Sequence, residues 1–168
     1  MDAFESARTV LAVRSYAKRP VPHEIIRRIV EAGRLTGSGS NHQPWHFVVV
    51  DNPDALNELG RLAPTGPYIA QAALAVVVAI EKTEYSVSDA SRAIQSMIMT
   101  AWSEGVASNW VGFLGLGKVN PFLDIPSTLD VLAILPFGYP ADATLKGKKK
   151  RKAFSELVHH GRFGQPFV

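Results

Sequence analysis

Cysteine is absent from the 168-residue chain. Its absence removes disulfides, thiolate nucleophiles and Cys-based zinc or iron–sulfur sites together. Long apolar runs are missing as well: the longest, Ala72 to Ile80, is about nine residues, half of what a membrane helix needs. No charged N-terminal stretch leads into an apolar core, so no secretory signal is legible and the expectation is a cytoplasmic protein with no membrane partner. Histidine is sparse and poorly spaced for metal. His42 and His46 are separated by a Pro-containing loop, and His159 and His160 are adjacent, so neither pair can present two ligands from one helical face. No metal site is expected. Internal repeats and linkers are also lacking, which makes residues 1–168 a single domain with one core.

The composition present is that of a globular chain, with 46% hydrophobic and 20% charged residues. Part of the net charge of +3 is concentrated in the run Lys148-Lys149-Lys150-Arg151-Lys152. Such a run suits a small phosphate ligand, a polyanion or an anionic membrane surface, or it is simply solvated. No aromatic residues interleave it, so a nucleic-acid partner is not expected.

Periodicity divides the chain into helices and strands. Phe4, Ala7, Val10 and Leu11 share one face of a predicted helix over residues 2–13, capped by Asp2. Ala17 to Pro20 is extended, because residues before proline are pushed away from the helical region. A second helix opens at Val21-Pro22, buries Ile25, Ile26, Ile29, Val30, Ala32 and Leu35, and ends at Gly37. A strand follows from Trp45 to Val50. Asn52-Pro53 then caps a short helix to about Leu62.

Ala72 to Glu81 has no polar alternation and is Val-rich, the pattern of a central strand covered on both faces. Ser88 to Glu104 repeats apolar residues at helical spacing and stops at Gly105, making the longest helix, with Ser88 or Asp89 as its cap. That helix is apolar enough to leave a stripe for a second subunit. Ser108 to Phe113 and Leu129 to Phe137 read as further strands, the latter at an edge near Pro136 or ending early. A short helix from Phe154 to Val158 closes the pattern. The order is α+β, with a sheet packed against one long core helix.

The stretch Ser38 to Asp51, SGSNHQPWHFVVVD, is the most distinctive in the chain. Ser38, Gly39 and Ser40 let backbone approach a flat ligand closely, and Asn41 and Gln43 each offer a donor and an acceptor. That combination can hold a heteroaromatic ring carrying alternating carbonyls and nitrogens. Taken alone, the same residues also describe an ordinary helix-to-strand loop.

This stretch, preceded by EAGRL, resembles the signature of the flavin-dependent nitroreductase family, which has a Pro-Ser loop followed by Asn-x-Gln-Pro-Trp and a strand. GVASNWVG, FGYP and the basic run followed by AFSELV resemble three further stretches of that family, and together the matches cover most of residues 20–160. The resemblance implies a mostly antiparallel central sheet and FMN bound at a homodimer interface. It also implies a ping-pong cycle carrying hydride from NADH or NADPH to nitroaromatic, quinone or related acceptors. The flavin supplies that chemistry and the protein positions it.

Carried over residue by residue, the resemblance implies that Ser38, Ser40, Asn41 and Gln43 contact the cofactor, along with Trp110, Val111 and Gly112. It places the backbone N–H of Gly112 near the flavin N5, Arg14 near the N1 and O2 edge, and Lys149 and Arg151 on the phosphate. Arg14 read alone is a surface arginine after a helix. The family's opening Arg-Arg-Ser falls here on Val10, Leu11 and Ala12, and a basic residue that some members use falls on Ile69. Either phosphate binding leans on the C-terminal cations, or FMN is bound more weakly, or the ligand differs. The inserted lid of longer members is not found, which favours broad acceptors. The loss of the first phosphate motif also leaves open a protein of the same fold that binds flavin, or another ligand, with little or no turnover.

Overall fold

In a computed structural model describing residues 1–112, 115–142 and 149–167, helices cover both faces of one antiparallel sheet. The helices are α1 (Ala3–Thr9), α2 (His23–Arg34), α3 (Pro53–Leu62), α4 (Ser86–Ser103), α5 (Val119–Phe122) and α6 (Phe154–Leu157). The strands are β1 (Trp45–Val50), β2 (Leu74–Glu81), β3 (Ala107–Ser108), β4 (Val111–Gly112) and β5 (Leu129–Gly138). They run in the order β1-β2-β5-β3, with β4 also pairing along β5.

β2 is the axis of the fold. Its even-numbered residues Leu74, Val76, Val78 and Ile80 meet α2 and α4 in one core, while Ala75, Val77 and Ala79 face α3 and α5 in another. Alternation in the strand thus serves two buried faces, which is why the sequence shows no polar period there. Val76, Val77 and Val78 are wholly buried, each contributing about 1.5–3 kcal/mol relative to exposure. On the α2–α4 side the helices meet at Gly33, where a Cβ would lie 3.0 Å from Met97 Cγ and 3.2 Å from the tip of Phe47. A side chain at Gly33 would push α2 off the long helix.

Several sequence boundaries move. α1 ends at Thr9 rather than residue 13, because Val13 N–H donates to Ser108 O (2.9 Å) and Ala12 forms an isolated parallel bridge to Ser108. Phe4, expected on its buried face, is 74% exposed. α2 stops at Arg34, short of Gly37, and leaves Leu35 exposed. α4 starts at Ser86, and its cap residue is Tyr85, with no side-chain cap from Ser88 or Asp89.

The strand expected over residues 108–113 is two short pieces separated by Asn109-Trp110, and Phe113 lies outside the described residues. β5 is not an edge at Pro136, which pairs with Ala75 of β2. Its outer neighbours contact only residues 133–134 and 137–138, so that ladder is interrupted at Leu135-Pro136, a place that tolerates a residue without an N–H. Among the described residues no helix is long and apolar enough to cross a membrane.

Candidate active site

The loop feeding β1 is wound tightly. Gly39–Asn41 form a 3₁₀ turn, and Ser40 (φ 48°), Asn41 (φ 58°) and Gln43 (φ 52°) all occupy the left-handed region. Side chains with a Cβ pay roughly 1 kcal/mol or more each to sit there, Asn least. Three such residues within four positions mark a loop held against its own preference, a pattern concentrated at ligand sites. The restraints are local and specific. Ser38 Oγ accepts the Gln43 N–H at 2.9 Å, Gln43 Nε2 donates to Asn41 O at 3.1 Å, and the Gly39 N–H reaches the Asp89 carboxylate at 3.0 Å. Ser40, Asn41 and Gln43 are exposed, with Pro44 and Trp45 buried beneath them.

A second group of residues forms around Arg14. Its guanidinium lies 5.9 Å from the centroid of the Tyr68 ring, within cation–π range. Asn109, itself buried, donates to the Tyr68 hydroxyl. Three residues on, Gly112 pairs with Ala133 in β5. A Cβ on Gly112 would fall 2.5 Å from Trp110 Nε1 and 2.8 Å from Leu132 O, so only glycine fits. Trp110 is half-buried against the α2–α4 core, and Val111 is only 1% exposed in the opposite core, so it packs the strand rather than presenting a group to a ligand.

Arg14 also lines a cavity of about 550 Å³ with Leu11, Ala12, Val13, Ser15 and Ala141. Beneath it, the Tyr16 hydroxyl donates to Val13 O at 2.8 Å. Burial raises the Tyr16 phenol well above its ordinary value, so it stays protonated.

The basic tail returns to the N-terminus. Lys149 Nζ donates to Ala7 O near the end of α1, three residues before the apolar Val10-Leu11-Ala12 begins. Burial and the neighbouring Arg151 charge lower the Lys149 ammonium from its ordinary value. Arg151 is exposed and donates to Lys150 O at 2.9 Å. Lys148 lies outside the described residues. Val10-Leu11-Ala12 serves the fold: Val10 caps α1, Leu11 packs beside Val13 and Tyr16, and Ala12 bridges to Ser108. Ile69 is wholly buried in the α3-side core, where a cation could not sit unpaired.

Not all the residues expected to share a ligand come together in one chain. The loop sits beside Glu81, whose N–H donates to Pro44 O (3.0 Å), at one end of β2. Arg14 follows Val13, which is bonded to Ser108; Ser108 lies opposite Phe137 and Phe137 opposite Leu74, at the other end. Seven residue steps separate Leu74 from Glu81, about 23 Å at the usual strand rise. α4 measures the same gap: the loop is bonded to Asp89 in its first turns, whereas Trp102 near its end donates to Thr9 Oγ1 (2.9 Å) beside the Arg14 segment. Gly112 lies in the row Gly112–Ala133–Val78–Phe47, three strands from β1, or about 14 Å. One planar ring cannot touch both ends of a single chain.

Sequence reading missed Tyr68, Asn109 and Asp89. Tyr68 carried no periodic signal inside a Pro/Gly loop, and Asp89 looked like a helix cap.

The Nitroreductase family profile matches residues 8–83 and 63–139. This chain belongs to the nitroreductase family. A Methanothermobacter thermautotrophicus protein with a provisional assignment as NADH dehydrogenase/NAD(P)H nitroreductase is 31% identical over 151 residues, covering 84% of this chain and 79% of that protein. The crystal structure of a Bacteroides thetaiotaomicron protein with the same provisional assignment superposes with a TM-score of 0.86 at 27% identity, covering 96% and 98% of the two chains. An FMN-dependent nitroreductase from Clostridium difficile shares the fold, with a TM-score of 0.85 at 23% identity over 95% of this chain and 99% of that one. As a nitroreductase-family member, the protein is an NAD(P)H-dependent oxidoreductase with the expected α+β architecture.

Proposed function

We propose that two copies of this nitroreductase-family chain bind FMN between them and carry hydride from NAD(P)H to nitroaromatic, quinone or related acceptors by a ping-pong cycle. The observation that carries the reading is the split of the site. The strained Ser38–Gln43 loop lies at the Glu81 end of β2 and the Arg14 segment at its Leu74 end, with Gly112 level with Val78 and three strands from β1, so a two-fold pairing that sets one chain's loop against its partner's Arg14 end completes two equivalent sites.

The donor set fits FMN. Ser40, Asn41 and Gln43 present exposed hydrogen-bonding groups, Gly112 is part-exposed backbone with no side chain of its own, and Arg14 supplies a cation for the ring edge that gains negative charge on reduction. FMN, when bound, supplies the two-electron relay of the cycle. Arg14 lowers the cost of the reduced form, the Gly112 N–H fixes the ring in register, and the loop amides recognise its carbonyl and nitrogen edge. Lys149, bonded near the end of α1, and Arg151 two residues on hold the phosphate in place of the apolar Val10-Leu11-Ala12.

The test is a visible spectrum of the purified protein, before and after adding excess FMN and gel filtration. Flavin bands that bleach with NAD(P)H under anaerobic conditions support the proposal. A protein that stays colourless after FMN loading contradicts it.

A second reading, a flavin-binding protein with little turnover, is favoured by one observation: Val10-Leu11-Ala12, where the family's phosphate motif falls, is apolar and is used in the α1–Ser108 junction. NAD(P)H oxidation with a quinone acceptor, at a rate well above that of free FMN, rules this reading out.

A further inference from the structure

The Asp89 carboxylate is almost wholly buried, at 1% residue exposure, near the start of α4. One of its oxygens accepts the Gly39 N–H at 3.0 Å from fifty residues away, and the other accepts a hydrogen bond from Arg92, whose own side chain is 57% exposed. A carboxylate is costly to bury and is retained where its hydrogen bonds matter. Here one bond falls on the first residue of the turn whose next members, Ser40, Asn41 and Gln43, are all left-handed. Among the described residues, the other side-chain hydrogen bonds on that turn lie within the loop itself. Asp89 therefore ties the strained loop to the long helix of the fold.

We propose that Asp89 is the positioning residue of the ligand-gripping loop: its carboxylate, through the Gly39 N–H, holds Ser40, Asn41 and Gln43 in the conformation that meets the flavin. The inference rests on the FMN reading of the loop and deepens it. Asp89 touches no ligand. It fixes the geometry in advance, so that binding spends less of its free energy ordering the loop. Arg92 is a counter-charge that makes burial tolerable and has no part in loop geometry.

Four variants separate these roles. Asp89→Ala removes the acceptor, and Gly39→Pro removes the donor from the loop side, its ring carbon taking the place of the hydrogen that faces Asp89 and so forcing the turn off the carboxylate. Asp89→Asn keeps an oxygen able to accept the same bond, and Arg92→Ala removes only the counter-charge. Each is titrated with FMN by flavin fluorescence, and exchange of the loop amides, residues 40–43, is followed in the unliganded protein. The expected result is an FMN Kd at least about tenfold higher in Asp89→Ala and Gly39→Pro, as for loss of one hydrogen bond to a charged group. Their loop amides exchange faster, while amides of the α4 core around Ile94 and Met97 do not change. Asp89→Asn and Arg92→Ala stay within about threefold of wild type.

FMN affinity and loop exchange unchanged in Gly39→Pro or Asp89→Ala overturn the proposal, as does equal weakening of Asp89→Asn and Arg92→Ala, which would assign the effect to the ion pair. If Asp89→Ala does not fold, Gly39→Pro decides. A wild-type protein that takes up no FMN defeats the reading of the site instead, and amide exchange in the same variants still judges the tether from Asp89 to the loop.

Discussion

The guanidinium of Arg14 lies 5.9 Å from the Tyr68 ring centroid, and the hydroxyl of that ring accepts a hydrogen bond from buried Asn109. A cation stacked on a ring that is itself pinned from behind has few places to go. Arg14 is thus held in position although its own side chain is exposed. Replacing Arg14 with Ala should lower the two-electron potential of bound FMN by tens of millivolts, about 30 mV for each ~1.4 kcal/mol of charge stabilisation lost. Tyr68→Phe should leave the stack intact and move the potential less. Spectroelectrochemical titration of both variants checks this, and a potential unchanged in Arg14→Ala contradicts it.

Gly112 tolerates no side chain, since a Cβ there would meet Trp110 Nε1 at 2.5 Å and Leu132 O at 2.8 Å. Gly112→Ala must shift β4 or turn Trp110. The expected outcome is a folded protein, with circular dichroism close to wild type, that binds FMN about tenfold or more weakly, the scale of one misplaced hydrogen bond near a charge. Isothermal titration against FMN reads the effect directly; an unchanged Kd means that the Gly112 N–H does not face the ring.

The cationic tail should discriminate FMN from riboflavin, which lacks the phosphate. Lys149→Ala with Arg151→Ala should weaken FMN by about one to two orders of magnitude, at ~1.5–3 kcal/mol for each charged hydrogen bond weakened by exposure, and leave riboflavin affinity unchanged. Because burial and Arg151 lower the Lys149 ammonium, FMN binding should loosen at a less alkaline pH than an ordinary lysine would set. Equal loss for both ligands would assign the tail a purely structural role.

Stability on the acid side follows from three solvent-facing pairs. Glu5, Glu31 and Glu58 each have a carboxyl held below the ordinary value of 4.5, chiefly by a side-chain hydrogen bond from Arg8, Arg34 and Arg61 respectively. A lowered folded-state value means that the contribution is present above the ordinary value and is lost as pH falls through the lowered one. Helices α1, α2 and α3 should therefore weaken slightly on acidification from about pH 6 to about pH 3. The effect should be small, because exposed pairs are worth little, and high salt should erase it. Urea midpoints at both pH values, with and without salt, test this; a midpoint that rises on acidification contradicts it.

Much of the frame was legible because local signals and tertiary packing agree. β1 runs from Trp45 to Val50 as read, Asn52 Oδ1 accepts from the N–H groups of Asp54 and Ala55 as its cap role requires, and Gly105 ends α4 with φ 75°. Readings failed where a distant partner overrode a local pattern. The apolar period of Phe4, Ala7, Val10 and Leu11 continues past Thr9, yet the helix stops because Ser108 captures Val13. Pro136 signals an edge, yet it lies opposite Ala75, where a break in the outer ladder accommodates it. In the candidate site, residue types were legible but their distribution was not. Nothing local in Ser38–Gln43 says that Arg14 lies at the far end of β2, and Asp89 is bonded to a residue fifty positions away.

The central claim, that each site draws its loop from one copy and its Arg14 end from the other, is tested most directly by mixing two defective chains. Asn41→Ala with Gln43→Ala in one chain and Arg14→Ala in the other should each give homodimers with little FMN-dependent NAD(P)H oxidation. A heterodimer places both defects in one site and leaves the second intact. Co-expressed chains assorting at random should therefore recover about a quarter of wild-type activity. Activity in the mixture no higher than in either variant alone would contradict a shared site.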